Sequence, residues 1–183
     1  MLTAGTGRAN TKGTNMKNFV QGDAVVVGPE EGDTYWQPHP STGFIINKLT
    51  PYNTPYDDFS AGIQVLEPGS AVREHGHERS HEVLFVVEGT GHAVIDGERH
   101  ELMPGTTLLL GRRVLHFVQN SDVGQMKLFW VIFPSGLEDW FQAIGRPRHV
   151  GETVAPIFDR PLDVKEIQRR MRFVRPEDEM SRG

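Results

Sequence analysis

No cysteine occurs anywhere in the 183 residues. Its absence removes disulfides, thiolate metal sites and a cysteine nucleophile together, and fits a reducing cytoplasm. A basic excess is missing too: 19 Lys and Arg stand against 24 Asp and Glu, giving a net charge of −5. That mild acidity offers no electrostatic footprint for nucleic acid or an anionic membrane surface. Long apolar runs are lacking as well. The longest, LFWVIF at 128–133, is far too short to span a bilayer, and no apolar signal-like core opens the chain. A Gly-x-Ser-x-Gly elbow and a phosphate-binding loop are both absent, which argues against a nucleophilic hydrolase and nucleotide chemistry. The expectation is a soluble cytoplasmic protein with one domain.

What is present is turn punctuation around short apolar runs. Residues 1–18 are rich in Gly, Thr and Asn without an apolar period, and are expected to be disordered. Strands are predicted at 60–66, 70–77, 82–88, 91–96, 106–110, 114–119 and 126–133, separated by Pro-Gly, Gly-Thr-Gly and Asp-Gly signals. Asp96-Gly97 suits a two-residue hairpin. Shorter apolar runs between 19 and 47 precede a Pro-rich link. Close spacing of short strands points to an all-β antiparallel sandwich or barrel. Helices are predicted only at 136–145, with a Leu137/Trp140/Phe141/Ile144 stripe expected to pack outside the barrel, and at 162–171. The layout is therefore a β domain over 19–133 and a C-terminal helical extension and charged tail over 134–183.

The segment PGSAVREHGHERSHEVLFVVEGTG (68–91) concentrates groups that resist burial in a region of strand. Side chains two apart share a strand face, so His75 and His77 project together. Glu82 opens the next strand in phase with Leu84 and Val86, and His116 lies between apolar neighbours further on. Three imidazoles and a carboxylate are costly to bury together unless a cation joins them. Such a set suits a divalent transition metal: Fe, Mn, Ni, Cu, Co or Zn. His81, adjacent to Glu82, should face the other way. His39, His92, His100 and His149 are expected to be solvated or at least unassociated with the cluster.

These residues also carry a resemblance to the cupin superfamily. Gly69, His75, His77, Glu82 and Gly89 match the spacing of the first cupin motif, and Gly105, His116 and Asn120 match the second. In the second motif Gly111 stands in place of a proline and Arg113 in place of a glycine. The resemblance implies a double-stranded β-helix (jelly-roll) cupin barrel with short peripheral helices, mainly C-terminal. It implies one metal near the barrel mouth, iron being the first candidate, and a homodimer built through N-terminal strands.

The implied activity resembles that of the single-domain quercetin dioxygenase-like cupins. A small chelatable enol, phenol or carboxylate substrate would meet the metal, with Glu82 as the proton acceptor. A redox-neutral isomerase, lyase or decarboxylase could use the same centre, and a non-catalytic small-molecule-binding cupin is the third reading. Arg73 shares the parity of His75 and His77, so it either faces a substrate anion or forms a rim salt bridge. Tyr56 either lines the mouth as a substrate contact or staples the linker.

Overall fold

Extended runs between turn signals become strands in the computed structural model, which describes residue 22 and residues 24–180. In chain order the strands are β1 (Asp33–Gln37), β2 (Gly43–Leu49), β3 (Ser60–Leu66) and β4 (Ala71–His77). Next come β5 (His81–Glu88), β6 (Gly91–Ile95), β7 (Glu98–Leu102) and β8 (Thr107–Leu110). After them stand β9 (His116–Asn120) and β10 (Met126–Phe133), then helix α1 (Leu137–Ile144). The chain continues through β11 (Arg146–Pro147), α2 (Val164–Arg170), β12 (Phe173–Val174) and α3 (Pro176–Met180).

Pairing is antiparallel and gives two sheets. One has seven strands in the order β11-β1-β2-β3-β10-β5-β8, the other five in the order β12-β4-β9-β6-β7. The all-β jelly roll is as expected, with one difference: the sheets face each other as a sandwich and are not hydrogen-bonded into a closed barrel. Asp96 and Gly97 both take positive φ, 46° and 86°, and close the β6–β7 hairpin as their sequence predicts.

Two short strands escape a reading based on periodicity. Arg146–Pro147 pairs with β1, and Phe173–Val174 pairs with β4. Each covers backbone groups that an edge strand would otherwise leave open. The charged tail forms α3, and the segment 1–18 lies outside the described residues. No helix among those residues is long and apolar enough to cross a membrane.

The core lies between the sheets, where Ile45, Leu66, Val86, Val118, Leu128 and Trp130 are almost wholly buried. Gly62 sits opposite Trp130; a Cβ there would lie 2.5 Å from its ring and 2.4 Å from the Ile46 carbonyl. Helix α1 corrects the expectation that its stripe packs outside. Leu137, Trp140, Phe141 and Ile144 join the inner core, with the Phe141 and Trp130 rings 5.5 Å apart. The unclosed sandwich has an apolar end to cover, and a helix with one apolar stripe covers it.

Asn120, fully buried, ties three segments. Its Nδ2 donates to the carbonyls of Leu66, Glu67 and Gly124 at 2.9–3.1 Å, while its Oδ1 accepts from the Asp122 amide at 2.8 Å. Arg113 has φ 66°, the left-handed conformation that a glycine adopts without steric cost. The side-chain departure from the motif therefore leaves the backbone turn intact.

Candidate metal centre

Strand alternation places His75 and His77 of β4 on the inner face of the five-stranded sheet, and β9 adds His116 directly opposite His75. Glu82 comes from the other sheet, on β5 between β8 and β10. The candidate ligand atoms of all four residues lie within 4.8 Å of one another. His77, Glu82 and His116 are buried and His75 is partly exposed. A cluster read from spacing is thus a cluster in space.

Local backbone geometry orients the imidazoles. His75 Nδ1 lies 2.8 Å from the Arg73 carbonyl, and His116 Nδ1 lies 3.0 Å from the Val114 carbonyl. A carbonyl only accepts, so each Nδ1 carries the proton and each Nε2 is left with a lone pair when the ring is neutral. His77 Nε2 and His116 Nε2 each lie 3.2 Å from Glu82 Oε2. His116 Nε2 is also buried without an aligned hydrogen bond.

Electrostatics follows from that crowding. Burial would raise the Glu82 pKa, but the contacts and charges of His116 and His77 outweigh it and hold the carboxyl below the usual range. For His116, burial acts downward, and the Glu82 contact and charge overcome it to raise the imidazole above its ordinary value. His75 goes the other way: burial, then the neighbouring charges of His116 and His77, push it well down. It is held neutral. Nitrogen lone pairs and a carboxylate crowded together, with an orphaned buried nitrogen among them, fit a divalent transition-metal ion.

The cluster is reached from a cleft lined by His75, Glu82 and His116. Leu84, Val118, Leu128, Trp140, Phe141 and Phe173 make its walls largely apolar. Phe173 of β12 covers the imidazoles, with ring centroids 5.4 Å from His75 and 5.0 Å from His77, and meets the Trp140 ring at 4.7 Å, tilted by 44°. His77 lines a second cleft beyond Phe173, beside Arg79 and Arg172.

Arg73 does line the first cleft, but not by simple alternation. Val72 pairs with Val118 and His75 with His116, so β4 carries one residue more than β9 between these pairs. This bulge re-phases the strand, and both Arg73 and Glu74 reach the cleft. Tyr56 is 36% exposed and outside the lining of either cleft. His81 stacks on Phe133 away from the cluster. His92, expected to be solvated, is buried beside Ser121 Oγ at 3.2 Å.

Arg160 and Gln64 also line the cleft, and Arg160 carried no signal in the sequence. Arg160 lies in an irregular segment with no period, and Gln64 is one of two polar residues, with Ser60, in β3. The alternation of β3 around a buried Leu66 was the only available hint that Gln64 faces inward.

Comparison with known proteins agrees with the fold. Residues 62–132 match the cupin domain family. Protein SchB of Streptomyces halstedii is 29% identical over 86 residues, which are 47% of this chain and 62% of that protein. Polyketide synthase CurC of Streptomyces cyaneus is 27% identical over 86 residues, 47% of this chain and 56% of that protein. The chain therefore spans less than two thirds of the length of these curated relatives. Among solved structures, one described as a predicted oxalate decarboxylase from Thermotoga maritima superposes with a TM-score of 0.50 at 20% identity. That match covers 60% of this chain and 98% of the other, and it shows the fold. All four clustered residues fall inside the matched segment, whereas α1, Arg160 and Phe173 fall outside it.

Proposed function

Because this chain belongs to the cupin superfamily, we propose that it is a metal-dependent enzyme, a dioxygenase of a small chelatable enol, phenol or carboxylate. The observation that carries the reading is the convergence of His75, His77, Glu82 and His116, three of which (His75, Glu82 and His116) line a largely apolar cleft. These four residues would hold one divalent metal, iron first among the candidates. When bound, such an ion supplies Lewis acidity toward a chelating substrate oxygen and, if redox-active, a route to oxygen chemistry.

The rest is work for the chain's own side chains. The Nδ1 contacts of His75 and His116 fix ring orientation, so both rings keep an Nε2 directed at the centre. Glu82 is the only carboxylate in the cluster and the proposed acceptor of the proton of an enol or phenol. Trp140, Phe141 and Phe173 exclude water and offer flat apolar surfaces to an unsaturated substrate. A homodimer and a cytoplasmic location belong to the same proposal.

Elemental analysis of protein purified without chelator, followed by oxygen uptake with a panel of enols and phenols, tests it. Bound iron, manganese, nickel or copper with substrate-dependent oxygen uptake supports the reading. Turnover without oxygen uptake would replace oxygenation by redox-neutral chemistry, and ligand binding without turnover would make the chain a binding protein.

A further inference from the structure

Arg160 is a cation with no anion. Its Nε is buried without a hydrogen-bond partner, and among the described residues neither it nor Arg73 has an ion-pair partner. Glu74 lines the same cleft and pairs with neither. Aromatic support for Arg160 is slight: its guanidinium carbon stands 5.6 Å from the Trp140 ring centroid, close to the ~6 Å limit of a cation–π contact. Such a contact leaves the N–H donors of the planar fork unused.

Burial, reinforced by the positive charge of Arg73, lowers the Arg160 pKa to about 10. At neutral pH the group is still charged. Two guanidinium groups on one cleft repel each other, and a residue kept only for packing would relieve that repulsion as a methionine or leucine. A bound anion relieves it as well, and it meets the donors at the same time.

We propose that Arg160, with Arg73 at the rim, binds a carboxylate of the substrate, separate from the oxygens that face the His75/His77/Glu82/His116 cluster. The inference rests on the cleft being the substrate site of the proposed metal enzyme, and it narrows the substrate to an unsaturated or aromatic acid. The apolar walls accommodate the ring or conjugated chain, and the two arginines fix which end enters first. Since Arg160 lies beyond the matched cupin segment, the selecting group comes from the C-terminal extension while the clustered ligands come from the sandwich.

The test uses two nearly isosteric probes, 4-hydroxybenzoate and 4-hydroxybenzamide, which share the phenol ring and differ at one end, an anionic carboxylate against a neutral amide. Their affinities are measured by calorimetry on the full chain loaded with manganese, and again after removal of the metal by chelator. The wild-type protein is expected to prefer the acid by roughly tenfold or more, as a charge-assisted pair allows. Arg160→Met should bring the preference close to unity while amide affinity and bound manganese stay unchanged. Arg160→Gln should do the same, so the result does not hang on one variant folding, and Arg160→Lys should restore part of the preference. A preference for the acid in Arg160→Met or Arg160→Gln as large as in the wild type overturns the proposal, as does a wild-type protein with no preference, binding of neither probe included. Affinities indifferent to the metal would count against the metal reading alone, because the acid-to-amide ratio still decides the role of Arg160.

Discussion

His116 sets its Nε2 3.2 Å from Glu82 Oε2 while its Nδ1 faces the Val114 carbonyl at 3.0 Å. Both ring nitrogens thus look at acceptors, an arrangement that calls for a proton on each or for a metal in place of one. In the metal-free protein the proton is favoured, which is why the pKa is raised.

Wherever the pH lies below the raised His116 pKa, metal uptake should therefore release a proton drawn from His116. His75, held neutral, has none to give. Affinity should fall as pH drops through the raised His116 pKa. The sign for folding follows the same logic: the His116 contribution to metal-free stability is complete below its ordinary value of 6.5 and lost as pH rises through the raised one. Glu82 acts oppositely, contributing above the ordinary 4.5 and losing its contribution as pH falls through the depressed value. Titration calorimetry in buffers of different ionisation enthalpy measures the released proton. A buffer-independent enthalpy would count against it.

Replacement of His77 or His116 by Ala removes a ligand and not merely a supporting contact. Affinity for the metal should drop by more than roughly a hundredfold, beyond the loss typical of outer-shell partners. Circular dichroism should be unchanged, because the imidazoles contribute little to the Leu, Val and Trp core. Stoichiometric metal in either variant would show that the ligand set is wrong.

Asn120→Asp should destabilise the fold by at least ~2 kcal/mol, since a carboxylate would face three carbonyl oxygens where an amide now donates. Denaturant midpoints measure the loss. Metal content of the folded fraction should be unaffected, which separates this residue from the ligand His116 on the same strand.

Gly62→Ala adds one carbon where there is no room, 2.4 Å from the Ile46 carbonyl and 2.5 Å from the Trp130 ring. Overpacking of this kind typically costs about 1–3 kcal/mol, and backbone as the obstacle puts Gly62 at the upper end. An alanine variant as stable as the parent in thermal unfolding would mean that β2 and β3 shift apart easily.

The four clustered residues were legible because their geometry is nearly local. His75 and His77 need only a period of two, and Glu82 and His116 stand on strands whose apolar alternation assigns them a face. What escaped depends on contacts distant in sequence. The bulge that re-aims Arg73 exists only in the pairing of β4 with β9, and no residue of β4 announces it. The apolar stripe of α1 was plain, but whether it packs outside or over the open end depends on the sheets failing to close. Two-residue strands such as β11 and β12 have no period to detect. Arg160 sits in a loop where solvation is the ordinary expectation, and its partial burial beside Trp140 follows from where α1 lies.

The ring contacts from His75 through Phe173 to Trp140 have an optical consequence. Trp140 is buried, two ring contacts from the cluster; Trp130 packs on Phe141 of the same cleft wall, and Trp36 lies against Phe44. An open-shell ion at the cluster is a short-range quencher of indole emission, whereas zinc, with its filled shell, is not. Fluorescence of the unlabelled protein thus reads both the occupancy of the centre and the electronic character of the ion that fills it.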